Sequence, residues 1–222
     1  MHKNLCRTYF VRHNPSVPSK ISYEPLTPSE TRTLRALKTP AKIQQFLDDL
    51  PYHHADTAWS PRKVLRERTG HCLEGATLAA AALRVLGHKP LVMDLEGIRD
   101  SDHVLALYQE KGYWGSIAKS NFSGLRFRAP VYKTIRELAL SYFEDYFNLR
   151  GERTLRGYSM IVDLKAFDKF NWMTTEKSVW SIPEYLITCR HYPLFPKRIA
   201  KGLPLLDKRS FAAGLVGRLG KH

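Results

Sequence analysis

No run of the sequence is apolar over the roughly 18 to 20 residues that a membrane-spanning helix needs, which excludes a helical membrane protein of the ordinary kind. Cysteine is scarce: Cys6, Cys72 and Cys189 are an odd number at wide, irregular spacing, which suits neither a disulfide framework nor a CxxC metal site and points to free thiols. Internal repeats and long low-complexity segments are lacking. The first residues, MHKNLCRTYFVRHNP, have no continuous apolar block and no small-residue cleavage site, so the expected compartment is the cytoplasm. Acidic side chains are also in short supply, 21 against 35 Lys and Arg, for a formal net charge of +14. Such a field attracts polyanions, either nucleic acid, anionic lipid or an acidic protein surface, and equally serves to solvate helix faces.

What is present is enough for a core: 43% of the 222 residues are hydrophobic, which suits one domain with at most a small appendage. Prolines at 15, 18, 25 and 28 make residues 1–28 an extended lead-in. From Ser29, with Glu30 close behind, a short helix runs through Leu34 and Leu37. A second follows Pro40, with Ile43, Phe46, Leu47 and Leu50 at helical spacing before Pro51. Ser60-Pro61 is an N-cap with proline at the first helical position, opening a helix that Gly70 breaks. Between Cys72 and Leu86, CLEGATLAAAALRVL is apolar nearly all round and ends at Gly87, which describes a helix buried in the core.

Three strand-like runs follow, LVMDL, HVLALYQ and YWGSIA, the last two joined by Glu110-Lys111-Gly112 as an antiparallel hairpin. Helical periodicity spans Thr134 to Phe147, a strand is expected over Tyr158 to Leu164 and a helix over Val179 to Ile187. The fold class is therefore α+β, with the domain over 29–190. Residues 191–222 form a basic C-terminal tail, mobile and partly helical around Phe211 to Leu219.

A cysteine thiolate is favoured at the first turn of a helix, where unpaired N–H groups and the macrodipole stabilise the anion. Cys72 holds that position, after a glycine that lets the chain turn, and a backbone N–H at or near Cys72 can then hold an oxyanion. His103, at the head of a strand, supplies a base.

The run RTGHCLEGATLAAAALRVLGHKP resembles the nucleophile segment of the transglutaminase-like superfamily, which includes the arylamine N-acetyltransferases, and DSDHVLALYQEKGYWGSIA resembles its histidine hairpin. The resemblance covers roughly residues 60 to 120. It implies a papain-like scaffold, a buried nucleophile helix on a small antiparallel sheet with flanking helices, with Cys72 as nucleophile, His103 as base and an aspartate on the next strand. Residues 115–121, GSIAKSN, contain no carboxylate. Asn121 is the preferred substitute, with Ser116 or Ser120 as alternatives and Asp100 or Asp102 available from the loop.

The expected activity is acyl transfer or hydrolysis at an amide or thioester of a protein, peptide or small acyl substrate, with no cofactor and no metal. The alternative is an inactive module of the same scaffold that docks nucleic acid or an acidic protein. Residues 120–138, SNFSGLRFRAPVYKTIREL, interleave Arg126, Arg128, Lys133 and Arg136 with aromatics as nucleic-acid-binding surfaces do, and equally as an ordinary strand and helix edge do. A zinc site from His53, His54, His71 and Cys72 lacks the paired ligand spacing. Glu74 serves to accept N-terminal amides or pair with an arginine. Trp59, Tyr113 and Trp114 are either groove walls or core.

Overall fold

The computed structural model describes residues 24–218; residues 1–23 of the lead-in, Cys6 among them, and 219–222 of the tail lie outside the described residues. The chain is α+β, an open antiparallel sheet with helices on both sides. In order it forms α1 (Pro28–Ala36), α2 (Pro40–Asp48), α3 (Pro61–Glu67), α4 (Cys72–Val85), β1 (Leu91–Gly97), β2 (His103–Glu110), β3 (Tyr113–Ile117), β4 (Arg128–Tyr132), α5 (Ile135–Leu140), β5 (Leu155–Ser159) and β6 (Val162–Asp163). A 3-10 helix (Leu164–Phe170) leads to α6 (Ser181–Thr188), β7 (His191–Pro193), α7 (Lys197–Ala200) and α8 (Lys208–Gly214). The sheet order is β4-β3-β2-β1-β5-β7, with β6 also on β1. Among the described residues no helix is long and apolar enough to cross a membrane.

The early helices start where their caps dictate. Thr27, Thr39 and Ser60 each accept the N–H three residues on, and each is followed by proline at the first helical position, where no donor is needed. In α1 the box is closed by Glu30, which accepts the Thr27 N–H at 2.7 Å, so the helix begins at Pro28 rather than Ser29.

Helix α4 has no polar face because it has no solvent face: α1, α2 and α3 cover one side and β1 and β2 the other. It ends in a Schellman motif, His88 N–H to the Leu83 carbonyl at 2.9 Å and Gly87 N–H to that of Arg84 at 3.1 Å, with Gly87 at φ 93°. Gly75 has no side chain for a reason of contact. A Cβ there would stand 2.2 Å from that of Lys119, whose buried Nζ caps the end of α2 through the Leu47 carbonyl at 2.7 Å and that of Leu50.

Strand β2 reads as a continuous apolar run because both sheet faces are buried. Val104, Ala106 and Tyr108 join Val92 in the core shared with α4. Leu105 and Leu107 join Met93, Leu95, Tyr142 and Tyr146 in a second core on the opposite face. The β2–β3 hairpin pairs Glu110 with Tyr113 across Lys111 and Gly112, at φ 49° and 84°, as a two-residue turn of the I′ kind.

Three expectations are corrected. The helix of 134–147 stops at Leu140; beyond it the chain continues in i→i+3 turns, because the Tyr142 hydroxyl is drawn to the Arg126 carbonyl (2.6 Å) and that of Tyr146 to the Ser101 carbonyl (2.7 Å). The strand of 158–164 is two strands, β5 and β6, separated where Met160 N–H turns away to the Arg190 carbonyl. The segment after Arg190 is built into the fold and is no free appendage: β7 pairs with β5, Leu194 is buried, and Phe211 of α8 packs on Phe147 at 5.4 Å between ring centroids. Helix α6 begins at Ser181, so Pro183 falls in its first turn, where its missing N–H costs nothing.

Candidate active site

The start of α4 is held by a cage built from residues 51–59. Arg68, at φ 57°, ends α3, and the chain then runs parallel to 51–53, with Gly70 N–H on the Pro51 carbonyl (3.4 Å) and His53 N–H on that of Gly70 (3.2 Å). Glu74, fully buried, gathers the donors this brings together: Thr57 Oγ1 at 2.6 Å, Trp59 N–H at 3.0 Å, His71 N–H at 3.1 Å and His53 Nδ1 at 3.3 Å. His71 Nε2 donates to the Thr57 carbonyl at 2.7 Å. His53 and His71, two of the three histidines weighed as metal ligands, are thus hydrogen-bonding parts of the cage.

Cys72 is the first residue of α4 and is partly exposed. Its thiol points at the Asp102 carbonyl, 4.0 Å away, and the nearby backbone amides of Val104 and Leu73 favour its anion. The sulfur is therefore held against the backbone immediately before and immediately after His103. Tyr52, paired with Gly70 in the cage, stands beside the start of α4, and burial, with the neighbouring Cys72 adding to it, holds its hydroxyl protonated well above the usual range. A protonated phenol beside the helix start is a donor that can be offered to an oxyanion.

Burial pushes the Cys72 thiol up to about 11, and the carboxylates of Asp94 and Asp102 add to it; the Val104 and Leu73 amides pull the other way. Asp102 is itself raised to about 7 by burial and by Asp94. The resting sulfur is a thiol.

His103 is buried, and its ring lies edge-on to Tyr146 at 6.4 Å, on the sheet face of Leu105 and Leu107 rather than that of α4. Its Nε2 is 2.9 Å from the Leu125 carbonyl. A carbonyl only accepts, so Nε2 carries the proton and Nδ1 the lone pair of a base. Burial lowers the imidazole to about 4; the Leu125 carbonyl works against this and the Arg128 charge with it. The ring is neutral at pH 7 and makes no hydrogen bond to Sγ.

The group that fixes the tautomer is the Leu125 backbone, not Asn121. Asn121 sits half-buried in the bend after β3, and its amide bonds to no described residue. Ser116 donates to the Tyr142 hydroxyl at 2.7 Å, and Ser120 accepts Phe122 N–H. Asp100 and Asp102 close the β1–β2 connection by accepting Ser101 N–H, Thr154 Oγ1 and Gly97 N–H. Tyr52 and Leu125 were missed by sequence reasoning. The one reaches the site only through a non-local backbone pairing; the other contributes an atom that every residue has.

A pH effect on stability follows from His103. Its folded value lies below the usual 6.5, so the unfolded chain binds more protons between about 4 and 6.5, and stability must fall as pH drops through that window. Linkage puts the contribution at about 3 kcal/mol, complete above pH 6.5 and gone near pH 4. Asp102 works oppositely, since its raised folded value favours the fold at low pH, so the test is a difference. Urea unfolding of the parent and His103→Gln at stepped pH should show the variant gaining about 3 kcal/mol relative to the parent from pH 6.5 to 4. A constant difference would mean that the imidazole is not held neutral.

Chemically, the arrangement offers a helix-start thiol, two backbone amides near its sulfur, a hydroxyl beside the helix start and a neutral imidazole in the base tautomer. Comparison of the chain with models of known families and with curated proteins gave no match in either case.

Proposed function

We propose that the protein is a transglutaminase-like cysteine enzyme on a papain-like scaffold, transferring or hydrolysing acyl groups held as amides or thioesters. Cys72 is the nucleophile, His103 the base, the Leu125 carbonyl the group that orients the imidazole, and the Tyr52 hydroxyl a donor to the oxyanion. The observation that carries the reading is the seating of the Cys72 sulfur against the backbone beside His103, whose tautomer leaves a lone pair on Nδ1; since the ring makes no hydrogen bond to Sγ, the thiol's proton reaches it through an intervening water.

A carbonyl orients the ring without supplying the charge that would stabilise an imidazolium, and the thiol is held up by burial. The reaction is therefore general-base in character: the proton leaves sulfur as the carbonyl carbon is attacked, and no thiolate–imidazolium pair stands ready at neutral pH. Turnover is slow at pH 7 and rises into the alkaline range.

The test is steady-state consumption of an acetyl thioester, with and without an added arylamine. Thiol release by the parent, rising between pH 7 and 10 and falling to background in Cys72→Ser, is the expected result. Equal rates in parent and variant would refute the reading. The second reading, a non-catalytic docking module, draws on the same raised thiol together with the +14 charge; salt-dependent binding of generic RNA by a chain without thioester turnover would favour it.

A further inference from the structure

Among the described residues, the large hydrophobic side chains that stand more than half exposed are Val131 at 64%, Leu149 at 59%, Ile199 at 51%, Leu205 at 64% and Val216 at 69%. All but Val131 belong to one stretch of surface. The turn over 148–151 meets the segment 204–206 through Leu206 N–H on the Gly151 carbonyl and Arg153 Nη1 on the Pro204 carbonyl, both at 2.8 Å, which brings Leu149 and Leu205 to the same place. Helix α8 closes on it: Phe211 packs on Phe147, and Leu206, Ala213 and Gly214 line a cavity of about 230 Å³ with Phe147. Val216 follows Gly214 by two residues, and Ile199 leads in from α7. The exposure of Leu149 is built in, because Asn148 Oδ1 accepts Arg150 N–H at 2.9 Å and Glu152 N–H at 3.2 Å while Gly151 takes φ 74°.

The charge around these side chains is of one sign. From Arg190 to Arg218 the sequence has seven Lys and Arg and a single acid, Asp207, whose carboxylate is occupied in capping α8 through Arg209 N–H, Ser210 N–H and the Ser210 hydroxyl. The carboxylates of the adjoining body are also taken, Glu144 by Arg153, Asp145 by Arg128 and Glu152 by Arg99. Lys197, Arg198, Lys201, Lys208 and Arg209 are all exposed and form no ion pair among the described residues.

We propose that this face docks on an anionic lipid surface, with Leu149, Ile199, Leu205 and Val216 entering the headgroup region and the lysines and arginines of 197–209 meeting lipid phosphates. Aliphatic tips among unpaired cations fit a surface that is anionic outside and apolar beneath. Single-stranded nucleic acid instead takes its bases on open aromatic faces, and here Phe147 is buried with Phe211 packed on it. The proposal is independent of any chemistry at Cys72.

The experiment is co-sedimentation of the full chain with vesicles of equal parts phosphatidylserine and phosphatidylcholine, and with vesicles of phosphatidylcholine alone. The parent should sediment with the first and much less with the second. Leu205→Ser with Val216→Ser should weaken binding about tenfold, and Lys208→Gln with Arg209→Gln about thirtyfold. These side chains make no hydrogen bond among the described residues, so urea midpoints should match the parent's. Val131→Ser, as exposed but on β4, should bind as the parent does. Failure to sediment with the anionic vesicles, equal binding to both kinds, either paired variant binding as tightly as the parent, or an equal loss in Val131→Ser overturns the proposal. A chain that binds generic RNA and not the vesicles overturns it in favour of nucleic acid.

Discussion

Replacing Glu74 with alanine is expected to destabilise the fold by about 3 to 5 kcal/mol, measured by urea denaturation at pH 7. The carboxylate is fully buried and accepts from Thr57, Trp59, His71 and His53, so alanine strands several donors in the interior at once and empties the space they surround. It also removes the acidic residue of the first turn, where the helix N-terminus favours a negative charge. Glu74→Gln keeps one accepting oxygen and should cost about 1 to 2 kcal/mol. A loss below about 1 kcal/mol for alanine would mean that water replaces the carboxylate and that the cage does not hold the helix start. Since the cage also carries Tyr52, the alanine variant should lose order at Cys72 before it loses the sheet.

The second large effect concerns the base. His103→Gln retains a side chain able to donate to the Leu125 carbonyl but has no group that takes a proton near neutrality, so thioester turnover at pH 8 should fall by about 10² to 10⁴-fold. The pH dependence should change as well. The parent acts through a neutral imidazole and rises only as the thiol becomes easier to ionise. The variant depends on hydroxide alone and should rise about tenfold per pH unit across the range. If the variant keeps the parent's rate and profile, His103 is a buried strand-end histidine and the thiol works without it.

The parts of the fold legible in the sequence are those whose cause is local. Helix α4 announced itself because a helix buried on all sides must be apolar on all sides, and its end because Gly87 occupies a position of positive φ. The β2–β3 turn was legible because a short polar connection ending in glycine separates two strand-like runs, although Glu110, read as part of that connection, pairs with Tyr113 in the ladder. Even the amide-accepting role of Glu74 was readable from its place three residues after the cap.

The rest required the third dimension. Three residues of β7 carry no alternation to be read, and they enter the sheet only because β5 offers an edge. The Tyr142 and Tyr146 hydroxyls redirect the chain after Leu140 through partners on other elements, which helical periodicity cannot register. At the site, Cys72 and His103 were identified by type and order, whereas their surroundings come from afar: Tyr52 by a parallel backbone pairing and Leu125 by its carbonyl. Searching for a side chain to orient the imidazole led to Asn121 because a sequence displays side chains and not the direction of a carbonyl.

The central claim, that Cys72 accepts an acyl group with His103 taking its proton, is tested most directly by trapping the acyl-enzyme. The full chain is mixed with p-nitrophenyl acetate at pH 9, quenched in acid within seconds and mapped by peptide mass spectrometry. The account predicts one acetyl group on the Cys72 peptide of the parent, its formation much slowed in His103→Gln. Acetyl groups confined to surface lysines, or a Cys72 peptide acetylated equally fast in His103→Gln, would contradict it.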